Sequence, residues 1–315
     1  QNSGIINAKI VVINDNFALS ASIASFEDIS CFDYCDGQII VHAAGGAPYI
    51  DFNGNSIYHY QWDDILGQTN DTAIGLCADN VSDIAQYSCI IKDAQGCSVV
   101  VTETLSQPDS LFVQAIVTSN TISNNFEDIS CFGDSTGSAE VTASGGNPPY
   151  SYSWNTLPTQ TNSIVNNLSA GIYTVEVYDS KGCMDTAEVI LAQPTKLEIT
   201  SITNDDVTCF DLNNGKIQAN ANGGIPFFGP SYLYTIKNLS GNIVYEDTLS
   251  NALAENLEPG IYFVTVTDQN GCSENSGSIY ISQPEDVLTV NLESRDESCN
   301  AENGLIRALV SGGNA

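Results

Sequence analysis

The chain has 315 residues and carries 8 Lys and Arg against 38 Asp and Glu, a formal net charge of −30. A surface this acidic repels the phosphates of nucleic acid and of anionic membranes, which argues against both as partners. No apolar run is long enough to cross a bilayer as a helix, and the length fits about three small domains.

In chain order, "NSGIINAKIVVIND" comes first and reads as the last strand of a preceding unit. Next, "FEDISCF" stands at 26–32 and recurs letter for letter at 126–132. From Cys31 the chain runs "CFDYCDGQIIVHAAGGAPY", from Cys131 "CFGDSTGSAEVTASGGNPPY", from Cys209 "CFDLNNGKIQANANGGIPF", and from Cys299 "CNAENGLIRALVSGG". A closing half recurs as well: "YSCIIKDAQGCSVVVTETLSQP" to Pro108, "GIYTVEVYDSKGCMDTAEVILAQP" to Pro194 and "GIYFVTVTDQNGCSENSGSIYISQP" to Pro284. Internal repetition of this kind marks a repeat array. The expected organisation is the tail of one repeat at 1–14, repeats 1, 2 and 3 at 15–108, 109–194 and 195–284, and the head of a further repeat at 285–315. The chain reads as a window on a longer array, with Gln-Pro as a short stiff linker between repeats and a semi-rigid rod as the result.

Each repeat reads as all-β. "GSAEVTAS", "GIYTVEVYD" and "GIYFVTVTD" alternate apolar with small or polar residues, as half-buried strands do, and no stretch keeps a helical period. Short strands between Gly, Pro and Asn clusters predict tandem Ig-like β-sandwich modules of about seven strands each, in an extended array. "D-x-x-G-C" at 93–97, 179–183 and 268–272 predicts a hairpin turn in which Asp caps the backbone and Gly takes a positive φ. Trp62 and Trp154 lie on an expected central strand and are assigned to the core.

Ten cysteines at recurring places point to an oxidising compartment. A metal site is a weak rival, since no C-x-x-C is present and His42 and His59 are the two histidines. The favoured pairing is within each repeat: Cys31–Cys97, Cys131–Cys183 and Cys209–Cys272, each stabilising its repeat by about 4 kcal/mol on the chain-entropy model. The rival pairing joins a turn cysteine to the opening cysteine of the next repeat. Cys299 is expected to pair outside this stretch, Cys35 with Cys77, and Cys89 to be a buried thiol on a core strand.

Two further patterns bear on chemistry. Asp51, Asn53 and Asn55 alternate as in the first half of a calcium loop, but the Gly and distal Glu of such a loop are missing at the expected offsets. Calcium is the one cofactor with any candidate residues, and none is otherwise expected. Neither histidine has a partner in a nucleophile arrangement, and the many carboxylates leave a hydrolytic pair open, so catalysis has little support in the pattern and no enzyme is expected.

The ordered set of opening Cys, Gly-Gly, Pro-Tyr, Trp, Gly-Ile-Tyr, Asp-x-x-Gly-Cys and Gln-Pro in 131–194 closely resembles the SprB repeat of giant surface adhesins of gliding Bacteroidota. Repeat 1 departs from it with "AQYSC" for Gly-Ile-Tyr, and repeat 3 lacks the Trp. The resemblance implies a stalk displayed on the outer surface of a Gram-negative cell, exported by the type IX route and serving gliding motility and attachment. Its implied partners are neighbouring repeats, an extracellular surface or polysaccharide at a distant tip, and the gliding and secretion machinery. It also implies O-glycan acceptors at Asp-(Ser/Thr) triplets: Thr72, Ser110, Ser135, Thr186 and Thr248. The alternative is a spacer or carbohydrate-binding array of a large secreted enzyme.

Overall fold

The computed structural model describes residues 18–78, 83–119, 128–296, 299 and 304–313, and every regular element among them is a strand. The tail expected at 1–14 lies outside the described residues. The chain divides into two compact units, Gln1–Ala115 with Val141–Ser163 and Thr174–Glu188, and Ile116–Glu140 with Ile164–Tyr173 and Val189–Ala315. Repeat 2 contributes to both units.

Repeat 1, in the first unit, has two antiparallel three-stranded sheets and a short two-stranded ladder, Tyr49–Ile50 with Ser56–Ile57. One three-stranded sheet has Gly37–Ala44 between Ser20–Glu27 and Thr72–Leu76, and the other has Ile84–Lys92 between His59–Trp62 and Ser98–Ser106. Ile39, Val41 and Ala73 of the first sheet and Trp62, Ile91 and Leu105 of the second share one buried cluster. The alternation explains this: along Gly37–Ala44, residues 37, 39, 41 and 43 are buried while their neighbours face outward.

Repeat 3, in the second unit, repeats the plan. Gly215–Asn222 lies between Glu198–Asp205 and Asn251–Leu257. In its other sheet Tyr232–Asn238 pairs with Ile243–Leu249 and Gly260–Thr267, and the latter also pairs with Ser273–Asn275 and Ile279–Ile281. Repeat 2 has the corresponding strand orders: Gly137–Ser144 between Phe112–Val117 and Ile164–Leu168, and Gly171–Tyr178 between Ser151–Trp154 and Met184–Leu191. Beyond repeat 3, Thr289–Arg295 pairs with Leu305–Ser311, as the first two strands of each repeat do. The tandem β-sandwich expected from the sequence is borne out.

Register explains two departures from the repeat pattern. Trp154 faces Val175 across the strands, Trp62 faces Cys89, and Ile236 faces Val264. Ile236 therefore fills the place of the missing Trp of repeat 3. Cys89 stands where the other repeats have valine, which explains a thiol in the core without any bonding role. Glycine six residues after Cys31, Cys131 and Cys209 starts the strand because nothing larger fits. A Cβ at Gly215 would lie 3.0 Å from the Leu257 carbonyl oxygen and 2.9 Å from the Ile281 side chain.

Candidate functional site at the repeat junctions

The site is built from two local devices, the opening loop of one repeat and the Asp turn of the next. In the opening loop, Asp28 accepts the Ser106 backbone N–H, and Asp128 and Asp206 accept those of Ala192 and Ser282. The following residue, Ile29, Ile129 or Val207, is buried and ties its own N–H to the closing strand of its repeat. The next N–H is capped by Asp36, Thr136 or Asn214, which stand directly before the strand glycine.

The opening cysteine then begins a tight turn, with Tyr34, Asp134 and Leu212 donating back to the carbonyls of Cys31, Cys131 and Cys209. The third residue of that turn has a positive φ, 62° at Asp33, 82° at Gly133 and 64° at Asp211. Its N–H donates to the side chain of Gln107, Gln193 or Gln283, the Gln of Gln-Pro. The Gln expected as part of a linker thus locks the opening loop of its own repeat. "FEDISCF" recurs because each of its central residues has one of these jobs.

In the Asp turn, one carboxylate oxygen of Asp179 accepts the N–H groups of Lys181 and Cys183, and the other accepts the Asn147 N–H. Asp93 and Asp268 repeat the arrangement. Burial alone would push the Asp179 carboxyl up, but the N–H groups of Asn147, Cys183 and Lys181 outweigh it and hold it below the usual carboxylate range. The backbone N–H groups of Ala47, Cys97 and Gln95 hold Asp93 down in the same way. The Gly-Gly pair lies against this carboxylate: a Cβ at Gly146 (φ 59°) would come within 2.8 Å of Asp179 Oδ2, and one at Gly145 (φ 73°) within 2.1 Å of the Ser110 carbonyl oxygen. Only glycine fits both the backbone conformation and the approach.

These devices meet across repeats. In the first unit Cys31 of repeat 1 is bonded to Cys183 of repeat 2, with Cα atoms 5.6 Å apart. In the second unit Cys131 of repeat 2 is bonded to Cys272 of repeat 3, at 5.7 Å. The Ser30 carbonyl accepts from Asn147 Nδ2 at 2.9 Å, and the Ser130 carbonyl accepts from Asn270 Nδ2 at 2.9 Å. Asn147 follows the Gly-Gly pair and Asn270 lies in the Asp turn, so two different sequence positions bring an amide to the same carbonyl. Sulfur packs there too, with Cys183 Sγ and Cys272 Sγ each 3.3 Å from it.

The pairings Cys31–Cys97, Cys131–Cys183 and Cys209–Cys272 expected from the sequence are therefore corrected. Cys97 and Cys209 are free and exposed. The opening cysteine lies in a loop fastened to the closing strand of its own repeat, and the sulfur it reaches is that of the next repeat's turn. The rival pairing, turn to following opening cysteine, is not formed either; the direction is the reverse. Cys35 and Cys77 are bonded within repeat 1, Cys89 is buried and free, and Cys299 is exposed and free.

The junction residues Asn147, Asn270, Ser30 and Ser130 were not foreseen. The one sequence signal for them is an Asn on the Gly-Gly loop or the Asp turn of repeats 2 and 3.

The remaining candidates occupy separate places. Asp51 uses one oxygen for the N–H groups of Asn53 and Asn55 and the other for Asn55 Nδ2, a self-capped turn that holds its carboxyl below the usual range through the Asn55 N–H first. Among the described residues no group of three His, Cys, Asp or Glu is placed to hold a metal. Ser110, Ser135, Thr186 and Thr248 are exposed and Thr72 is half-buried; Ser135 shares a hydrogen bond with Ser169, and Thr72 donates to Asp71. The Trp62 and Trp154 indoles are buried and donate to the Asn70 and Asn162 carbonyls. A groove of about 470 Å³ beside Lys196–Ile202 and Glu274–Gly277 is lined by a surface Lys196–Glu198 ion pair and holds no acid–base pair around a nucleophile.

Residues 123–159 and 201–241 match the SprB repeat. Over these two stretches the chain is similar to the SprB repeat. The second stretch runs from the strand Glu198–Asp205 through the opening loop of repeat 3 to Tyr232–Asn238, and the first includes the opening loop of repeat 2 with Gly137–Ser144 and Ser151–Trp154, so the resemblance seen in the motifs is borne out. No curated protein matches the chain. Among solved structures it is similar to one on host cell surface retention of a 1.5-MDa bacterial ice-binding adhesin, at 14% identity over 84% of this chain and 97% of that one, TM-score 0.39. It is also similar to the N-terminal eight Ig domains of Down Syndrome Cell Adhesion Molecule, at 14% identity over 84% of this chain, TM-score 0.37. The chain spans 36% of that protein. A third is the BSP domain of a biofilm associated protein, at 12% identity over 88% of this chain and 68% of that one, TM-score 0.27.

Proposed function

We propose that these repeats form a load-bearing, non-catalytic segment of a cell-surface adhesin, a stalk that holds a binding tip away from the cell. The observation that carries this reading is that successive repeats are joined by a disulfide and an amide hydrogen bond, at Cys31–Cys183 and at Cys131–Cys272. A protein that only needed stable domains would place its disulfides inside them, where they stabilise the fold. Disulfides between domains instead limit what the junction does under tension. The reading requires no cofactor. It places the chain outside a Gram-negative cell, where thiols oxidise, with type IX export, gliding and O-glycans on Thr72, Ser110, Ser135, Thr186 and Thr248 as its finer parts.

A force measurement tests the mechanical part. The oxidised chain, held near residues 18 and 284, is expected to extend much less than the same chain in dithiothreitol; equal extension would overturn the stalk reading. Surface labelling tests the rest. An antibody fragment against residues 109–194 is expected on the cell, travelling along it if the array is motor-driven. Label only in the medium would favour the spacer of a secreted enzyme.

A further inference from the structure

Cys97 and Cys209 are the same residues, by position, as those that bond at the two junctions. Cys97 is a turn cysteine like Cys183 and Cys272, and Cys209 is an opening cysteine like Cys31 and Cys131. Both are free and exposed, whereas Cys31 and Cys183 are buried and Cys131 and Cys272 partly buried. Their surroundings are already in the bonded form. The Asp93 carboxylate holds the Cys97 N–H at 2.9 Å as Asp179 holds that of Cys183. Gln95 brings an amide to the turn position used by Asn270. On the other side, Gln283 and Asn214 fasten the loop of Cys209 as Gln193 and Thr136 fasten that of Cys131.

We propose that Cys97 and Cys209 are two half-rungs of a continuing cystine ladder: Cys209 takes the turn cysteine of a repeat that follows, and Cys97 takes the opening cysteine of a repeat that precedes. The partner is another repeat of this kind, and the polarity is fixed, opening to turn, never like to like. Cys299, the opening cysteine of the next head, obeys the same rule. Formation consumes a disulfide oxidant such as oxidised glutathione. Each thiol loses its proton, two electrons pass to the oxidant, one S–S bond forms, and the oxidant leaves as two thiols. This goes beyond the stalk reading, since a stalk could be joined covalently only at the junctions already formed.

Copies of the chain can stand in for the neighbouring repeats. The reduced chain is reoxidised at high concentration in a glutathione buffer, and cross-linked peptides are identified by mass spectrometry. Cys31–Cys183 in the same sample reports that oxidation has gone to completion. The expected result is oligomers that collapse in dithiothreitol, with Cys97 linked to Cys209 or Cys299. Cys97→Ser is expected to abolish the oligomers, and Cys209→Ser with Cys299→Ser likewise. Like-to-like links, Cys97–Cys97 or Cys209–Cys209, at comparable frequency would overturn the proposal. So would a monomer with free Cys97 and Cys209 beside fully formed Cys31–Cys183. A failure here would leave the force measurement on the existing junctions unaffected.

Discussion

Cys31 is bonded to Cys183, 152 residues away in the next repeat, although Cys97 carries the same turn in its own. The two kinds of disulfide in this chain should therefore behave differently when removed. Cys35–Cys77 closes a 42-residue loop inside repeat 1, worth about 4 kcal/mol on the chain-entropy model. Cys35→Ser with Cys77→Ser is expected to lower the denaturation midpoint of repeat 1 by most of that. Cys31→Ser with Cys183→Ser is expected to leave each repeat folded with a far smaller shift, while the junction opens. Urea titration of both variants, followed by near-ultraviolet circular dichroism, separates them.

The Asp turn should be the acid-sensitive part. Asp93 and Asp179 of the Asp turn lie below the usual carboxylate range because backbone N–H groups favour their charged form, and Asp206 of the opening loop is held down in the same way by the Ser282 N–H. The unfolded carboxylate protonates near about pH 3.9, above the folded value, so the unfolded chain binds more protons in that window. Their contribution is full above that pH and is lost as pH falls through the folded values. Acid also relieves the self-repulsion of a chain at −30, which acts in the opposite direction. The difference between wild type and Asp179→Asn isolates the turn. It is expected to be on the order of 2 kcal/mol at pH 7 and to shrink toward pH 2.5; a difference that stays constant would refute the assignment.

The Gly-Gly pair gives a steric test. Gly223→Ala places a Cβ 1.9 Å from the Lys196 carbonyl oxygen, at a φ of 79°. Gly241→Ala has a similar φ, 82°, and open space around it. The first should cost on the order of 3 kcal/mol or more, the second about 1–2. Thermal unfolding of the two variants side by side reads the difference directly.

Cys89 should be chemically silent. Burial pushes its thiol up to about 11, so almost no thiolate exists at neutral pH. Iodoacetamide at pH 8 is expected to label Cys97, Cys209 and Cys299 and to spare Cys89 until the chain is unfolded. Cys89→Val, which restores the residue of the other repeats, should change stability by less than about 1.5 kcal/mol.

What was legible in the sequence is what short-range chemistry decides. Alternation along "GSAEVTAS" fixed which side of Gly137–Ser144 is buried, and Asp with Gly three residues on announced the turn at Asp179. Trp62 and Trp154 were placed in the core because their strand could be recognised from its neighbours. The disulfides were not legible in the same way. Spacing suggests that a repeat is self-contained, and a cysteine at each end of it suggests a staple. Which sulfur Cys31 reaches depends on how the end of one repeat meets the start of the next, a contact between residues far apart in sequence. Asn147 and Asn270 show the same difficulty. They serve one role from two motif positions, so no single recurring letter marks it.

The two inter-repeat bonds interlace, since Cys131 lies inside the loop closed by Cys31–Cys183 and Cys183 inside the loop closed by Cys131–Cys272. A single backbone cleavage anywhere from residue 31 to residue 272 therefore falls within at least one closed loop and cannot release a fragment. Staples confined to each repeat would leave the connecting stretches, 98–130 and 184–208, as places where one cut parts the chain. Connections between domains are where proteases usually act. For a protein exposed to the enzymes of its surroundings, interlaced bonds turn the first cut into damage that leaves the molecule whole.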